Sequence, residues 1–161
     1  VYDNGTQYMF GSQILVAPIF NDRGDAHFYL PGGQWTSLLD GKVYDAPVAG
    51  HWVDENFDEL SLPVLVRENT ILVRNEKAVH AAYDYTQNVD IHLYQIKDGA
   101  VATKVVDVHG HDAAEINVTR QGQHLKVATT GLTGENTVYV HEGTTVTSVK
   151  LSNHDVDITI A

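Results

Sequence analysis

The sequence predicts an all-β protein, made of two small antiparallel β-sandwich domains with little helix. Three observations lead to this prediction. Apolar and polar residues alternate along much of the second half of the chain, as in strands that bury one face. Turn signals rich in Gly, Asn and Asp separate these strands at short intervals. No segment carries a sustained helical stripe, and only residues 2–10 and 76–82 could form a turn or two of helix.

Short apolar runs predict the strands of the first half. Asp40-Gly41 is a good two-residue hairpin turn between strands at 35–39 and 42–45. Pro18 closes the first apolar run, and Pro31-Gly32-Gly33 ends the second. The apolar runs lie at 14–17, 26–30, 64–66 and 71–73.

Alternation with a period of two predicts the strands of the second half. They are expected at 90–94, 116–119, 125–127, 138–140 and 156–160, with turns at Gly110, Gly122, Gly131, Gly143 and Asn153.

A polar stretch at 74–88 suits a connection, so we place the change-over between the domains there. The predicted organisation is a lead-in segment (1–12), a first sandwich (13–76), a connection (77–88) and a second sandwich (89–161).

Composition excludes several classes of function. The net charge of −11 argues against nucleic acid, whose binders concentrate Lys and Arg on one face. No stretch approaches the roughly 20 apolar residues that span a bilayer, so we expect no membrane partner. The absence of Cys excludes disulfides and thiolate metal sites, and favours a cytoplasmic location. The chain starts without Met or signal-peptide features, so we expect it to be cut from a longer protein.

The best metal-like cluster is His109-Gly110-His111-Asp112. Two His and one Asp within four residues could converge on Zn²⁺, which prefers N and O ligands. The same composition also suits a polar turn around Gly110, and no distant further ligand can be named. We therefore predict no metal and no cofactor, with His109, His111 and Asp112 as the weak candidates.

Two other groups of residues carry candidate chemistry. Asp54, Glu55, Asp58 and Glu59 supply carboxylates of the kind that glycosidases need in pairs, but their spacing is more typical of a solvated loop. No Ser lies in a Gly-x-Ser-x-Gly elbow, and no Gly-rich loop could cradle a phosphate. We therefore predict no catalytic residue. The large aromatic residues could stack on a sugar ring, although core or interface positions are commoner for them: Trp35, Trp52, Tyr94 and Tyr139.

The order of segments in the first half adds more specific information. The segments are Gln7–Gly11 followed by Ile14–Ile19, then Phe28-Tyr29-Leu30-Pro31-x-Gly33-x-Trp35, then Leu62–Leu72. In this order and spacing they resemble the stretch of family 31 glycoside hydrolases that leaves the catalytic barrel and forms the proximal C-terminal sandwich. One departure is Ser12, where an Asp commonly follows the Gly. The ending of Leu62–Leu72, and loosely the strand at 90–94, is most similar to the bacterial α-xylosidase branch.

This resemblance implies a parent enzyme that is a retaining α-glycosidase acting on α-linked xylosides or glucosides. An Asp nucleophile and an Asp acid/base would lie on its (β/α)₈ barrel, and no position of this sequence matches either. Such a barrel needs about 250 residues, so it lies outside this chain. The role left for the chain is to brace the barrel, with Tyr8, Met9 and Phe10 facing it.

The alternative is a free-standing carbohydrate-binding or adhesive module. An exposed coplanar row of aromatic rings would favour it, whereas burial of Trp35 and Trp52 would favour the accessory region.

Overall fold

The fold was obtained as a computed structural model, which describes residues 5–58, 60–79 and 83–160. Across these residues the chain forms fifteen strands and no helix, so the all-β prediction is confirmed. The turn of helix that the sequence allows within 2–10 does not form at Tyr8–Phe10, which is a strand paired with Ile14–Val16. Residues 1–4 and 80–82 lie outside the described part of the chain.

The chain divides into two compact units, Val1–Glu68 and Asn69–Ala161. The strands of the first unit are β1 (Tyr8–Phe10), β2 (Ile14–Val16), β3 (Asp25–Leu30), β4 (Gly33–Ser37), β5 (Val43–Ala46), β6 (His51–Asn56) and β7 (Val64–Arg67). They form a five-stranded antiparallel sheet with the order β1-β2-β7-β4-β5, and a separate two-stranded sheet in which β3 pairs with β6.

Apolar residues of both sheets form the core of the first unit. Alternation along β3 buries Phe28 and Leu30 on one face and leaves His27 on the other. Trp35 is fully buried, and its indole N–H donates to the carbonyl of Pro31 at 2.8 Å, which satisfies the one polar group of the ring.

The hairpin predicted at Asp40-Gly41 is present as β4–β5, with a loop longer than the predicted two residues. The backbone N–H of Ser37 donates to the carbonyl of Lys42 and closes a loop of residues 38–41. The Asp40 carboxylate accepts from the N–H of Lys42, and Gly41 has φ +74°. The Asp and the Gly therefore stabilise the turn as expected, within a longer loop.

The strands of the second unit are β8 (Thr70–Arg74), β9 (Asp90–Tyr94), β10 (Gly99–Val106), β11 (Asp112–Gln121), β12 (His124–Thr130), β13 (Thr137–Glu142), β14 (Thr145–Lys150) and β15 (Asp155–Thr159). They form a sandwich of two four-stranded sheets, ordered β10-β11-β12-β15 and β14-β13-β9-β8. Their pairs are antiparallel except β13 with β9, which is parallel. The core between the sheets includes Ile91, Leu93, Ile116, Val118, Leu125, Val127, Val138 and Val140.

The position of β8 differs from the sequence-based expectation. The apolar run at 71–73 was assigned to the first sandwich, but β8 hydrogen-bonds to β9 in the second unit, with Ile71 opposite Leu93. An apolar run predicts that a strand is buried, but it does not predict the neighbouring strand. Pairing between strands that are far apart in the sequence depends on the whole fold. The predicted domain limits, with a connection at 77–88, stay a prediction.

Candidate functional site

The metal-like cluster lies in the turn between β10 and β11, and Asp107 organises it. One carboxylate oxygen of Asp107 accepts from the backbone N–H groups of His109 and His111, at 2.8 and 2.9 Å. The N–H of Gly110 donates to the Asp107 carbonyl at 3.0 Å, and Gly110 has φ +82°. These hydrogen bonds also hold the pKa of Asp107 below its usual range. The turn is therefore held by an Asp that the sequence analysis did not single out.

The three candidate ligands of this turn are not gathered into one group. The carboxylate of Asp112 forms an ion pair with Lys104, and the ring centroids of His109 and His111 are 6.2 Å apart. Throughout residues 5–58, 60–79 and 83–160, no group of three or more His, Cys, Asp or Glu side chains is arranged to hold a metal ion.

The acidic cluster begins within a strand, so the loop expected at 54–59 is wrong at its start. Asp54 and Glu55 belong to β6, and Glu59 lies outside the described residues. Because successive side chains of a strand point to opposite faces, Asp54 and Glu55 cannot face one substrate together. Asp58 instead caps a turn, where its carboxylate accepts from the N–H of Leu60 at 3.1 Å.

Each of the two β6 carboxylates has a partner of its own. Glu55 accepts from Lys42 Nζ and from the Tyr44 hydroxyl, both at 2.6 Å. Burial and this hydrogen bond raise the pKa of Tyr44 well above its ordinary value. On the other face, Asp54 lies 2.6 Å from His27 Nδ1.

The four large aromatic residues separate into two environments. Trp35 and Tyr94 are buried, and Tyr139 is partly buried against His92. Trp52 is 43% exposed on the outer face of the β3–β6 sheet. Burial of both Trp residues would favour the accessory region over a carbohydrate-binding module. One of them lies in the core and the other at the surface.

An apolar surface lies on β1, the edge strand of the five-stranded sheet. Tyr8, Met9 and Phe10 are 54%, 42% and 70% exposed. They were the residues expected to face a catalytic barrel. Three successive apolar side chains at an edge are unusual for a surface in water, where edge strands commonly carry charge or Pro.

The second unit holds a cluster of two Tyr and two His rings, of which the sequence analysis named the Tyr residues and missed the His residues. β9 and β13 pair in parallel, which places His92 beside Tyr139 and Tyr94 beside His141. The His92 and Tyr139 rings stack with centroids 4.7 Å apart, and the Tyr94 and His141 rings stack at 4.2 Å. The available signal was the pair of His-x-Tyr and Tyr-x-His patterns in two predicted strands.

The two His of this cluster are held in the neutral form. Burial is the main cause that lowers the pKa of His92 to about 3 and that of His141 to about 4, and the nearby Arg74 charge adds to both shifts. His92 Nδ1 lies 3.0 Å from His141 Nε2, and Arg74 Nη2 lies 3.1 Å from His92 Nε2. Arg74 Nη2 also lies 3.4 Å from His92 Nδ1, so the guanidinium contacts both ring nitrogens of His92.

Fold and surface together define a β-sandwich protein of two units. No helix among the described residues is long and apolar enough to span a membrane.

Comparison with known proteins defines its family. Residues 1–72 match the glycosyl hydrolase family 31 C-terminal domain, and residues 84–161 match the C-terminal domain of the α-xylosidase YicI. The chain belongs to the C-terminal region of the family 31 glycoside hydrolases. The resemblance seen in the sequence is therefore confirmed.

The curated relatives and solved structures agree with this assignment. The chain is 65% identical to α-xylosidase XylQ of Lactiplantibacillus pentosus over 99% of its own length and 21% of that protein. A cycloalternan-forming enzyme from Listeria monocytogenes superposes with a TM-score of 0.70 and 25% identity, covering 86% of this chain and 14% of that one. A family 31 α-xylosidase from Xanthomonas citri shares the fold, with a TM-score of 0.68 and 20% identity over 99% of this chain and 20% of that one. The chain thus spans about a fifth of the length of XylQ.

Proposed function

We propose that this chain is the non-catalytic C-terminal accessory region of a retaining α-glycosidase, of the α-xylosidase type. In the parent polypeptide a (β/α)₈ barrel supplies the nucleophile and the acid/base, and acts on α-linked xylosyl or glucosyl oligosaccharides. The 65% identity to XylQ is the observation that carries the choice of α-xylosidase.

The arrangement of the carboxylates supports a non-catalytic role. A retaining glycosidase needs two carboxyl groups about 5–5.5 Å apart across the scissile bond. In the described cluster, Asp54 points to one face of β6 and pairs with His27, whereas Glu55 points to the other and binds Lys42. Asp58 is committed to a turn. Hydrolysis of the substrate is therefore assigned to the barrel.

The exposed apolar strand supports a bracing role. Tyr8 and Phe10 point to one face of β1 and Met9 to the other, so apolar barrel residues would enclose this edge strand. Burying the three side chains stabilises the contact by roughly 25 cal/mol per Å² of apolar area. The first unit would then fix the barrel's position on the five-stranded sheet. The absence of Cys in this chain supports a cytoplasmic setting for the parent enzyme, and the similarity to XylQ of Lactiplantibacillus pentosus supports a bacterial one.

Sedimentation of the isolated chain tests the docking surface. Without a barrel, the β1 side chains should drive concentration-dependent self-association, and the double variant Met9→Ser/Phe10→Ser should sediment as a monomer. A matched control is Val106→Ser/Val108→Ser in the second unit, which replaces apolar side chains that are 47% and 69% exposed and should leave association unchanged. A monomeric original chain would contradict the proposed docking surface.

A free-standing carbohydrate-binding module remains the second candidate function. The exposed Trp52 favours it, whereas the buried Trp35 favours the accessory region.

A further inference from the structure

The outer face of the β3–β6 sheet carries aromatic rings beside carboxylates. The two strands pair so that Tyr29 lies opposite Trp52, and His27 lies opposite Asp54. Alternation sends all four side chains to the same face, because the opposite face of β3 packs into the core through Phe28 and Leu30. The core packing of the first unit therefore turns these four side chains outward.

The rings of this surface are held in fixed positions. His27 and Trp52 stack with centroids 4.5 Å apart and ring planes 4° from parallel. Tyr29 meets the indole at 68°, with centroids 5.5 Å apart. Asp54 holds His27 by the 2.6 Å contact with Nδ1. An exposed Trp side chain usually loses rotamer freedom on binding, and here the neighbouring rings have already removed it.

A second set of contacts fixes Tyr29 from its far end. The Tyr29 hydroxyl donates to the carbonyl of Ala49, next to Gly50, which has φ +69°. A Cβ at Gly50 would collide with the Tyr29 hydroxyl, so only Gly lets the loop approach the ring this closely. Gln7 binds the backbone N–H and the carbonyl of Tyr29 through its side-chain amide and covers the free edge of β3. The ring is therefore positioned by three separate segments.

We propose that this surface, defined by His27, Tyr29, Trp52 and Asp54, binds a pyranose unit of a neutral oligosaccharide. Because His27 covers one face of the indole, the apolar C–H face of the sugar would stack on the exposed part of the other face. The Asp54 carboxylate at its edge would accept hydrogen bonds from the sugar hydroxyl groups. Such a site separates the binding of an oligosaccharide from its hydrolysis on the barrel.

Charge favours a neutral sugar over a second copy of the chain as the occupant. Asp25 and Asp54 both lie on this face, Asp25 in an exposed ion pair with Arg23, and the chain carries a net charge of −11. A two-fold contact between copies would bring like carboxylates together, which is unfavourable. Binding of anionic ligands is opposed for the same reason. The choice of xylosyl and glucosyl sugars as probes rests on the proposed function, whereas the stacking itself does not.

Titration of the chain followed by NMR tests the site, because its two Trp residues give separate indole N–H signals and only Trp52 is exposed. The probes are maltotriose and an α-xylosyl-(1→6)-glucose disaccharide. We expect a saturable shift of the Trp52 signal, with a Kd in the millimolar range. Trp52→Ala should weaken binding at least about tenfold, as truncation of a central aromatic does at interfaces. Asp54→Asn, which keeps the shape of the side chain, should weaken it about threefold to tenfold.

Matched controls make the result interpretable. Phe10→Ala removes an aromatic that is 70% exposed on the five-stranded sheet, and should leave sugar binding unchanged while reducing self-association. Glycerol, which has hydroxyl groups but no ring, should shift nothing. If Trp52→Ala unfolds the chain, Asp54→Asn decides the question through its Kd. The proposal would be overturned if neither sugar shifted the Trp52 signal. It would also be overturned if the signal shifted only with the organic cation tetramethylammonium, or only with protein concentration. Sedimentation tests the docking surface on β1, whereas NMR titration tests the sugar site. Failure of one proposal can therefore be distinguished from failure of the other.

Discussion

Acid should destabilise the second unit through the buried His pair. His92 and His141 have pKa values of about 3 and about 4 in the folded state, against 6.5 as the ordinary value. The unfolded chain therefore binds more protons than the folded chain once the pH falls below about 6.5. The stability contributed by the neutral pair is fully present above that pH, and is lost as the pH falls towards the folded pKa values.

The size of this loss follows from the unfolded pKa. A pH of 5 is about 1.5 units below the pKa of an unfolded His. Relative to pH 8, protonation of the unfolded chain therefore lowers the free energy of unfolding by about 2 kcal/mol for each His and about 4 kcal/mol for the pair. Arg74 opposes protonation of the pair. Glu76 favours protonation, with its carboxylate 3.5 Å from His92 Nε2, but it is half exposed. Tyr94 and Tyr139 stack on the rings without adding charge.

Urea unfolding at pH 8, 6 and 5 measures the effect. Both Trp residues lie in the first unit, so Trp fluorescence follows that unit, and amide NMR signals of β9 and β13 follow the second. Between pH 8 and pH 5 the free energy of unfolding of the second unit should fall by about 4 kcal/mol more in the original chain than in His92→Gln/His141→Gln. The matched control is His109→Gln/His111→Gln, in an exposed turn, which should keep the original pH dependence. An unchanged slope in the first double variant would refute the reasoning.

Two further predictions concern local structure. Gly50→Ala should lower the free energy of unfolding of the first unit by about 2 kcal/mol, because the new Cβ meets Tyr29 at a positive φ. Gly41→Ala is the control at φ +74° in open space and should cost about 1 kcal/mol; equal costs in thermal unfolding would contradict a clash at Gly50. Glu142→Gln should destabilise the second unit by about 1–2 kcal/mol, because it breaks the two-bond pair with Arg120 at 2.9 and 3.0 Å. Glu135→Gln, at a contact of 3.9 Å between exposed side chains, should change urea unfolding little, and a similar loss in both variants would count against the Arg120 pair.

The regular alternation of the second half made most of its strands predictable. Ile116 and Val118 in β11 and Val138 and Val140 in β13 are buried as expected, since a strand with one wet face shows its geometry in its sequence. The parallel pairing of β9 with β13 was not predictable, because each strand has the same alternation whichever neighbour it takes.

β6 shows why a strand can be missed. Its inward face carries His51, Val53 and Glu55, so the alternation of apolar and polar residues is hidden. Glu55 is tolerated there because Lys42 and Tyr44 bind its carboxylate. These partners lie in β5 and in the loop before it, so the residues next to Glu55 in the sequence do not predict them.

The candidate sites were predictable to different degrees. The sequence marked Trp52 as able to stack on a sugar, but not His27, which reaches it only through the register of β3 with β6. Likewise, the metal-like cluster at His109 and His111 was visible, whereas the role of Asp107 as the acceptor that holds the turn needed the backbone geometry.

The central claim is that this chain braces a glycosidase barrel and carries no catalytic centre. The most direct test is hydrolysis of an aryl α-xyloside and an aryl α-glucoside by the purified 161-residue chain, beside a longer chain that includes the barrel. The account predicts turnover by the longer chain and no turnover above a buffer blank by the 161 residues. Turnover by the 161-residue chain that persists through repurification would contradict it.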